Sequence, residues 1–215
     1  MDLQRQKERY DYLTSLFRYD FEFNRMYDET MRKEREGVDL QPAITPQAGK
    51  LLAFLLKGVN AKRVLEIGTG IGYSSHWLAG VLLRNGGKLV TVDSHHRTPQ
   101  EAKKHFVESG VDGVVEMLHL EAERVLPSFP DGSFDFILQD GGKSFYLPLY
   151  DECYRLLKKG GIWAVDDVLF PFEEKARGSQ QEKIRLFNEK LAKDERYYTV
   201  TLDIGHGLTL AIKEQ

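Results

Sequence analysis

The run Val64-Leu65-Glu66-Ile67-Gly68-Thr69-Gly70-Ile71-Gly72-Tyr73-Ser74 constrains the fold of this chain more than any other stretch. Leu65 and Ile67 belong to an apolar run that reads as a strand buried on both faces. Gly68, Gly70 and Gly72 then remove side chains where the backbone must turn sharply and where a ligand can approach closely. Residues 73–84 read as a helix whose free N–H groups point back at that ligand. The inference is a nucleoside-carrying ligand at the carboxyl end of the first strand.

From Arg63 onward strand-like and helix-like patterns alternate. Strands are expected at 62–67, 87–92, 113–118, 133–139 and 160–165, and helices at 73–84, 98–110, 121–127 and 146–158. Thr45-Pro46 supplies an N-cap and a first-turn proline for an earlier helix through Lys57. Beyond Pro171 come a long helix over 178–193 and two β-like runs, 197–203 and 207–213, joined through Gly205-His206-Gly207 as an antiparallel hairpin. The fold class is therefore α/β: a Rossmann-like doubly wound sheet of seven strands, mostly parallel, with helices on both faces. Residues 41–215 form this domain, and residues 1–40 form a helical arm. The arm reads as two helices broken near Asp20, with Tyr10, Leu13, Leu16 and Phe17 at helical spacing and Phe21, Phe23, Met26 and Tyr27 beyond. So many large aromatics suggest a cover for the domain or a homodimer contact.

Composition narrows the partners. A formal charge of −3 exerts no global pull toward nucleic acid. The single cysteine, Cys153, excludes an intramolecular disulfide and reads as a packed thiol. No signal-peptide core and no window of about 20 apolar residues is evident, so a soluble cytoplasmic protein without membrane contact is expected.

The chemistry-bearing acids stand at strand ends. Phe134-Asp135-Phe136-Ile137-Leu138-Gln139-Asp140 ends in a carboxylate, and the next strand ends in Asp166-Asp167. In a parallel sheet these tips lie side by side on the ligand-binding edge. Three converging carboxylates repel one another, and a hard cation such as Mg²⁺ relieves that repulsion. The alternative is that Asp140 is only a cofactor ligand and Asp166-Asp167 cap a turn. Lys143 follows on the Gly141-Gly142 turn: beside a dication it is held partly deprotonated and serves as a base; otherwise it is a surface lysine pairing with Asp166 or Asp167. His95-His96 read as the rim of the cofactor pocket or as solvent-facing.

The glycine spacing is G-x-G-x-G, with Tyr73 where a dinucleotide motif has its third glycine. With Glu66 two residues before the first glycine and Asp93 ending the second strand, it looks like the S-adenosylmethionine site of Rossmann-like methyltransferases, Asp93 accepting from both ribose hydroxyls. From about Ile44 to Lys213 the chain resembles the cation-dependent O-methyltransferases, the family of catechol and caffeoyl-coenzyme A O-methyltransferases and small bacterial members. The glycine motif matches that family's first motif. Asp140-Gly141-Gly142-Lys143 stands for its Asp-Ala-Asp-Lys or Asp-His-Trp-Lys, Val165-Asp166-Asp167-Val168-Leu169 for its Ala-Asp-Asn-Val-Leu, and Gly205-His206-Gly207-Leu208 for its Gly-Asp-Gly-Leu.

The resemblance implies metal ligands at Asp140, Asp166 and Asp167, for Mg²⁺ or another divalent cation such as Mn²⁺ or Ca²⁺, and a catalytic Lys143. It implies S-adenosylmethionine contacts at Ile44, Glu66, Gly68, Thr69, Gly70, Ser74, Asp93, Glu121, Ala122 and Asp140, and an acceptor pocket walled by Phe170 and Pro171. Asp167 departs from the usual asparagine, Leu120 from a glycine, and Gly141-Gly142 from larger residues that would gate the pocket. The implied reaction is methyl transfer to a hydroxyl of a catechol-like small molecule. Two further readings stay open: a methyltransferase for hydroxylated uridine in tRNA, with Lys175, Arg177, Lys183 and Arg185 as a basic rim, and a non-catalytic S-adenosylmethionine-binding protein. A nicotinamide dehydrogenase is disfavoured by the missing third glycine.

Overall fold

Side chains along the first strand point alternately to two apolar clusters, which fixes the layering. In β1 (Arg63–Ile67), Val64 joins one cluster while Leu65 and Ile67 join the other. The computed structural model describes residues 3–16, 26–29, 31–32, 44–95, 99–172 and 178–215. Six more strands flank β1: β2 (Lys88–Val92), β3 (Val115–Leu118), β4 (Phe134–Gln139), β5 (Leu157–Val165), β6 (Tyr197–Leu202) and β7 (Leu208–Lys213). Their spatial order is β3-β2-β1-β4-β5-β7-β6. The first five pair in parallel, and β7 pairs antiparallel with both β5 and β6. This is the expected seven-stranded, mostly parallel sheet with its C-terminal antiparallel hairpin.

Helices cover both faces. α2 (Pro46–Gly58), α3 (Tyr73–Asn85) and α4 (Pro99–Glu108) pack against Val64, Leu89, Phe136 and Leu138. On the opposite face α6 (Tyr150–Leu156) and α7 (Gly178–Lys193) pack against Leu65, Val90, Ile137 and Trp163. Short α5 (Ala122–Val125) precedes a 3₁₀ turn at Leu126–Ser128. Thr45 caps α2 as expected, its hydroxyl accepting from the Ala48 amide at 3.3 Å. Cys153 is fully buried in α6, a packed thiol, and burial pushes its pKa up. Among the described residues no helix is long and apolar enough to cross a membrane.

Several boundaries differ from expectation. The helix expected over 146–158 is confined to Tyr150–Leu156, because Leu157 already pairs with Phe134 before the register shifts between Phe134 and Phe136. The strand expected from 113 begins at Val115 after a 3₁₀ turn, Asp112–Val114. In the arm, α1 (Leu3–Ser15) leaves Tyr12, Leu13 and Leu16 exposed, whereas Met26 is buried and Tyr27 lies against Tyr73, ring centroids 5.5 Å apart. Phe17, Phe21, Phe23, the break near Asp20 and the boundary near residue 40 lie outside the described residues, as does the side chain of Tyr10.

The contact between α2 and α3 is set by Gly49. A Cβ there would lie 2.4 Å from Nε1 of Trp77, whose ring is buried. Gly80 on α3 has nothing within 4 Å of a built Cβ. Alanine favours a helix over glycine by about 1 kcal/mol, but overpacking costs about 1–3 kcal/mol. Urea unfolding should therefore show Gly49→Ala destabilised and Gly80→Ala stabilised by up to about 1 kcal/mol. A stabilised Gly49→Ala would mean that Trp77 is free to move aside.

Candidate active site

The order of strands reverses between β1 and β4, and ligands of open α/β sheets settle in the crevice beyond the carboxyl ends at such a point. Hydrogen bonds extend the ladder past the strand tips there. The Asp140 amide donates to Ile67 O at 2.9 Å, Gly68 to Val92 O at 2.9 Å and Asp166 to Gln139 O at 3.1 Å. Gly68 has φ +104°, and a Cβ on it would lie 2.5 Å from Asp140 O, so the glycine turn presses directly on the tip of β4. Here glycine is required by both conformation and space.

Of the residues expected around the cofactor, Gly68, Thr69, Gly70, Ser74, Glu66 and Asp93 meet at this turn. Asp93 is half-buried and braces the turn. Its Oδ2 accepts from the Thr69 and Gly70 amides, both at 2.9 Å, and its Oδ1 from the His95 amide at 2.8 Å. The carboxylate thus anchors the glycine turn, using backbone donors that no side-chain pattern announces. Glu66 is fully buried below it; Oε2 accepts from the Ser75 hydroxyl and from Thr91 Oγ1 at 2.6 Å. Burial raises Glu66 to about 7 against the opposing Ser74, Ser75 and Thr91 hydroxyls. Its Oε1 is buried without a hydrogen-bond partner, an acceptor left for a donor that a bound ligand can bring.

The remaining cofactor positions are arranged differently. Ile44 is buried in the apolar cluster. Glu121 is exposed and pairs with Arg124 at 2.8 Å, with half-buried Ala122 next to it. His96, Lys175 and Arg177 lie outside the described residues. Lys183 and Arg185 are exposed on α7, the Arg185 guanidinium 5.3 Å from the centre of the Phe172 ring.

Asp140, Asp166 and Asp167 do converge. One carboxylate oxygen from each lies within 4.8 Å of the others; Asp166 and Asp167 are buried and Asp140 half-buried. Asp167 takes φ +59°, a left-handed conformation that aspartate and asparagine tolerate better than most residues. The turn of the C-terminal hairpin holds it there. Val168 donates to Gly207 O at 3.1 Å and Leu169 to His206 O at 2.9 Å. At the spacing of this cluster each pair of unit charges repels by about 3 kcal/mol or more in an effective dielectric of about 20. Burial, then Asp166, pushes Asp140 well above the carboxylate range; burial, then Asp167, pushes Asp166 to about 7.

Lys143 reaches this cluster and forms a close ion pair with Asp167. Its Nζ also donates to the Tyr146 hydroxyl at 3.2 Å, and that hydroxyl donates to Asp166 O at 3.0 Å. Burial disfavours the ammonium, but Tyr146, Asp167 and Asp140 outweigh it and hold Lys143 above the ordinary lysine range. The expected partly deprotonated lysine is therefore not found with the carboxylates uncompensated. One ammonium cannot balance three ionised aspartates, and the excess fits a dication: three hard oxygen donors, with Asp166 Oδ1 buried and unpartnered. Phe170 is half-buried and Pro171 buried in the 3₁₀ turn just past these acids.

Sequence reasoning missed Tyr146, although its spacing of three from Lys143 could have suggested it. It also missed two buried histidines under the glycine turn: His76 Nδ1 lies 2.5 Å from Gly72 O and His105 Nδ1 2.9 Å from Ile71 O.

Residues 20–214 match the family described as O-methyltransferase. A protein of Mycobacterium sp. (strain JLS), itself described only as an O-methyltransferase, is 31% identical over 176 residues, 80% of each chain. Catechol O-methyltransferase domain-containing protein 1 of Mus musculus is 30% identical over 177 residues, 79% of this chain and 67% of its own. The solved O-methyltransferase TomG of Streptomyces achromogenes, involved in tomaymycin synthesis and in complex with S-adenosylmethionine, superposes with a TM-score of 0.85 at 27% identity over 100% of both chains.

The raised aspartates make a linkage prediction. Asp166, at about 7 when folded and 3.8 otherwise, binds its proton more tightly in the native state, as does Asp140. The Asp166 contribution is complete below about pH 4 and is lost as pH rises through about 7, and the Asp140 contribution has the same sign. Metal-free protein should lose melting temperature from this source between pH 5 and pH 8; Asp166→Asn should flatten the slope, and Mg²⁺ should stabilise more at pH 8 than at pH 5. Equal slopes for wild type and variant would remove the strain from this cluster.

Proposed function

The chain belongs to the O-methyltransferase family, and on that premise we propose that it methylates a hydroxyl oxygen of a small, catechol-like acceptor with the help of one divalent cation. It is an S-adenosylmethionine-dependent enzyme. The observation that carries the finer reading is the meeting of three aspartates with Lys143 beside the glycine turn.

S-adenosylmethionine supplies the methyl group on its sulfonium. Asp140, Asp166 and Asp167 would hold the cation, Mg²⁺ in the first instance, with Mn²⁺ or Ca²⁺ as substitutes, and a cation there supplies Lewis acidity toward a hydroxyl. Gly68, Thr69, Gly70 and Ser74 would cradle the cofactor, with Asp93 keeping the turn in shape and Glu66 offering its orphaned oxygen. Ile44, Glu121 and Ala122 complete the proposed pocket.

Lys143 is the proposed base. Compensation of the aspartates removes the field that keeps Nζ protonated, so the lysine falls toward the range in which it can take the acceptor's proton. Tyr146 fixes Nζ by accepting its hydrogen bond while donating to Asp166 O. Phe170 and Pro171 would wall the acceptor, and the small Gly141-Gly142 would leave room there for a substituted ring. The third carboxylate, Asp167, adds charge that retains the cation.

Lys143→Ala should lower kcat by about 10²–10⁴-fold and leave the affinity for S-adenosylhomocysteine, read by calorimetry, unchanged. EDTA should abolish methyl transfer to catechols, and Mg²⁺ should restore it. A chelated enzyme and a Lys143→Ala variant that both turn over at the wild-type rate would refute the mechanism; transfer to undermodified tRNA but to no phenol would reassign the acceptor.

A further inference from the structure

We propose that Glu29, Glu101 and His105 form a second cation site, selective for a borderline divalent ion such as Zn²⁺, that fastens the arm segment 26–29 to α4. One ligand atom from each of these residues lies within 4.8 Å of the others, and none of the three belongs to the aspartate cluster. Glu101 and His105 stand four residues apart on α4, hence on one helix face, and Glu29 reaches them from a different element.

His105 is 6% exposed, and its Nδ1 donates to the Ile71 carbonyl at 2.9 Å. A carbonyl only accepts, so Nδ1 carries a hydrogen, and in the neutral ring the lone pair is on Nε2. Metal-bound histidines are commonly held this way, with the far nitrogen on a backbone carbonyl that fixes tautomer and ring orientation. The segment bearing Glu29 is itself seated: Met26 is 1% exposed in the same apolar cluster as Ala102 and Phe106 of α4.

One imidazole and two carboxylates form a nitrogen–oxygen donor set that suits Zn²⁺. Mg²⁺ is less suited, since it prefers oxygen ligands and retains water. The site also touches the glycine turn, because the ring that would bind the ion is the ring that holds Ile71 O. It does not depend on the proposed methyl-transfer chemistry.

Equilibrium dialysis of the full chain against Zn²⁺, with Mg²⁺ in excess to occupy the aspartates, tests the site. Wild type should retain one equivalent of Zn²⁺, and Asp166→Asn should retain it too. Glu29→Gln and His105→Gln should each weaken binding by about 10–100-fold, with Co²⁺ absorption bands changing in parallel. Glu29 is only half-buried, so Glu29→Gln keeps the test meaningful if His105→Gln fails to fold. The proposal falls if wild type retains no Zn²⁺, if Glu29→Gln binds as tightly as wild type, or if Asp166→Asn abolishes the binding.

Discussion

Mutual repulsion among Asp140, Asp166 and Asp167 is the constraint around which the ligand edge of this sheet is organised. Carboxylates within 4.8 Å of one another would move apart on a flexible surface. Here they cannot, because β4 and β5 are paired neighbours and their tips are tied by backbone hydrogen bonds. Burial and then the unfavourable field raise two aspartates, and Tyr146 with the same acids holds a proton on Lys143. A single added cation would reverse all of these protonation states together. That coupling makes the cluster a chemical device rather than a collection of surface acids.

The glycine turn is organised by a different balance. Asp93 gives both oxygens to main-chain amides, Glu66 is buried among hydroxyls, and His76 and His105 lie against consecutive carbonyls. The turn is therefore shaped from below by side chains already bonded to it, with only Oε1 of Glu66 left over for a ligand. Such preorganisation lets binding energy go into orienting the reacting groups instead of ordering the loop.

Most of the scaffold was legible because it follows from period-two burial and glycine punctuation: β1, β2, β4 and the hairpin all fall within a residue or two of where the pattern puts them. The aspartates were legible because strand tips in parallel sheets share an edge. What was hidden depends on main-chain geometry. The early start of β5 follows from a register shift, and the bracing of the glycine turn by Asp93 follows from amide donors. The pairing of Lys143 with Asp167 depends on a left-handed backbone at Asp167 that the neighbouring hairpin enforces.

That hairpin folds back beside the aspartate cluster. Gly207 and His206 supply carbonyls to Val168 and Leu169, and β7 inserts between β5 and β6. During synthesis Asp166 and Asp167 emerge about 40 residues before the segment that fixes them. A nascent chain thus carries the clustered acids of the edge while lacking their lock, and the geometry of the cluster is set only once β7 has paired with β5.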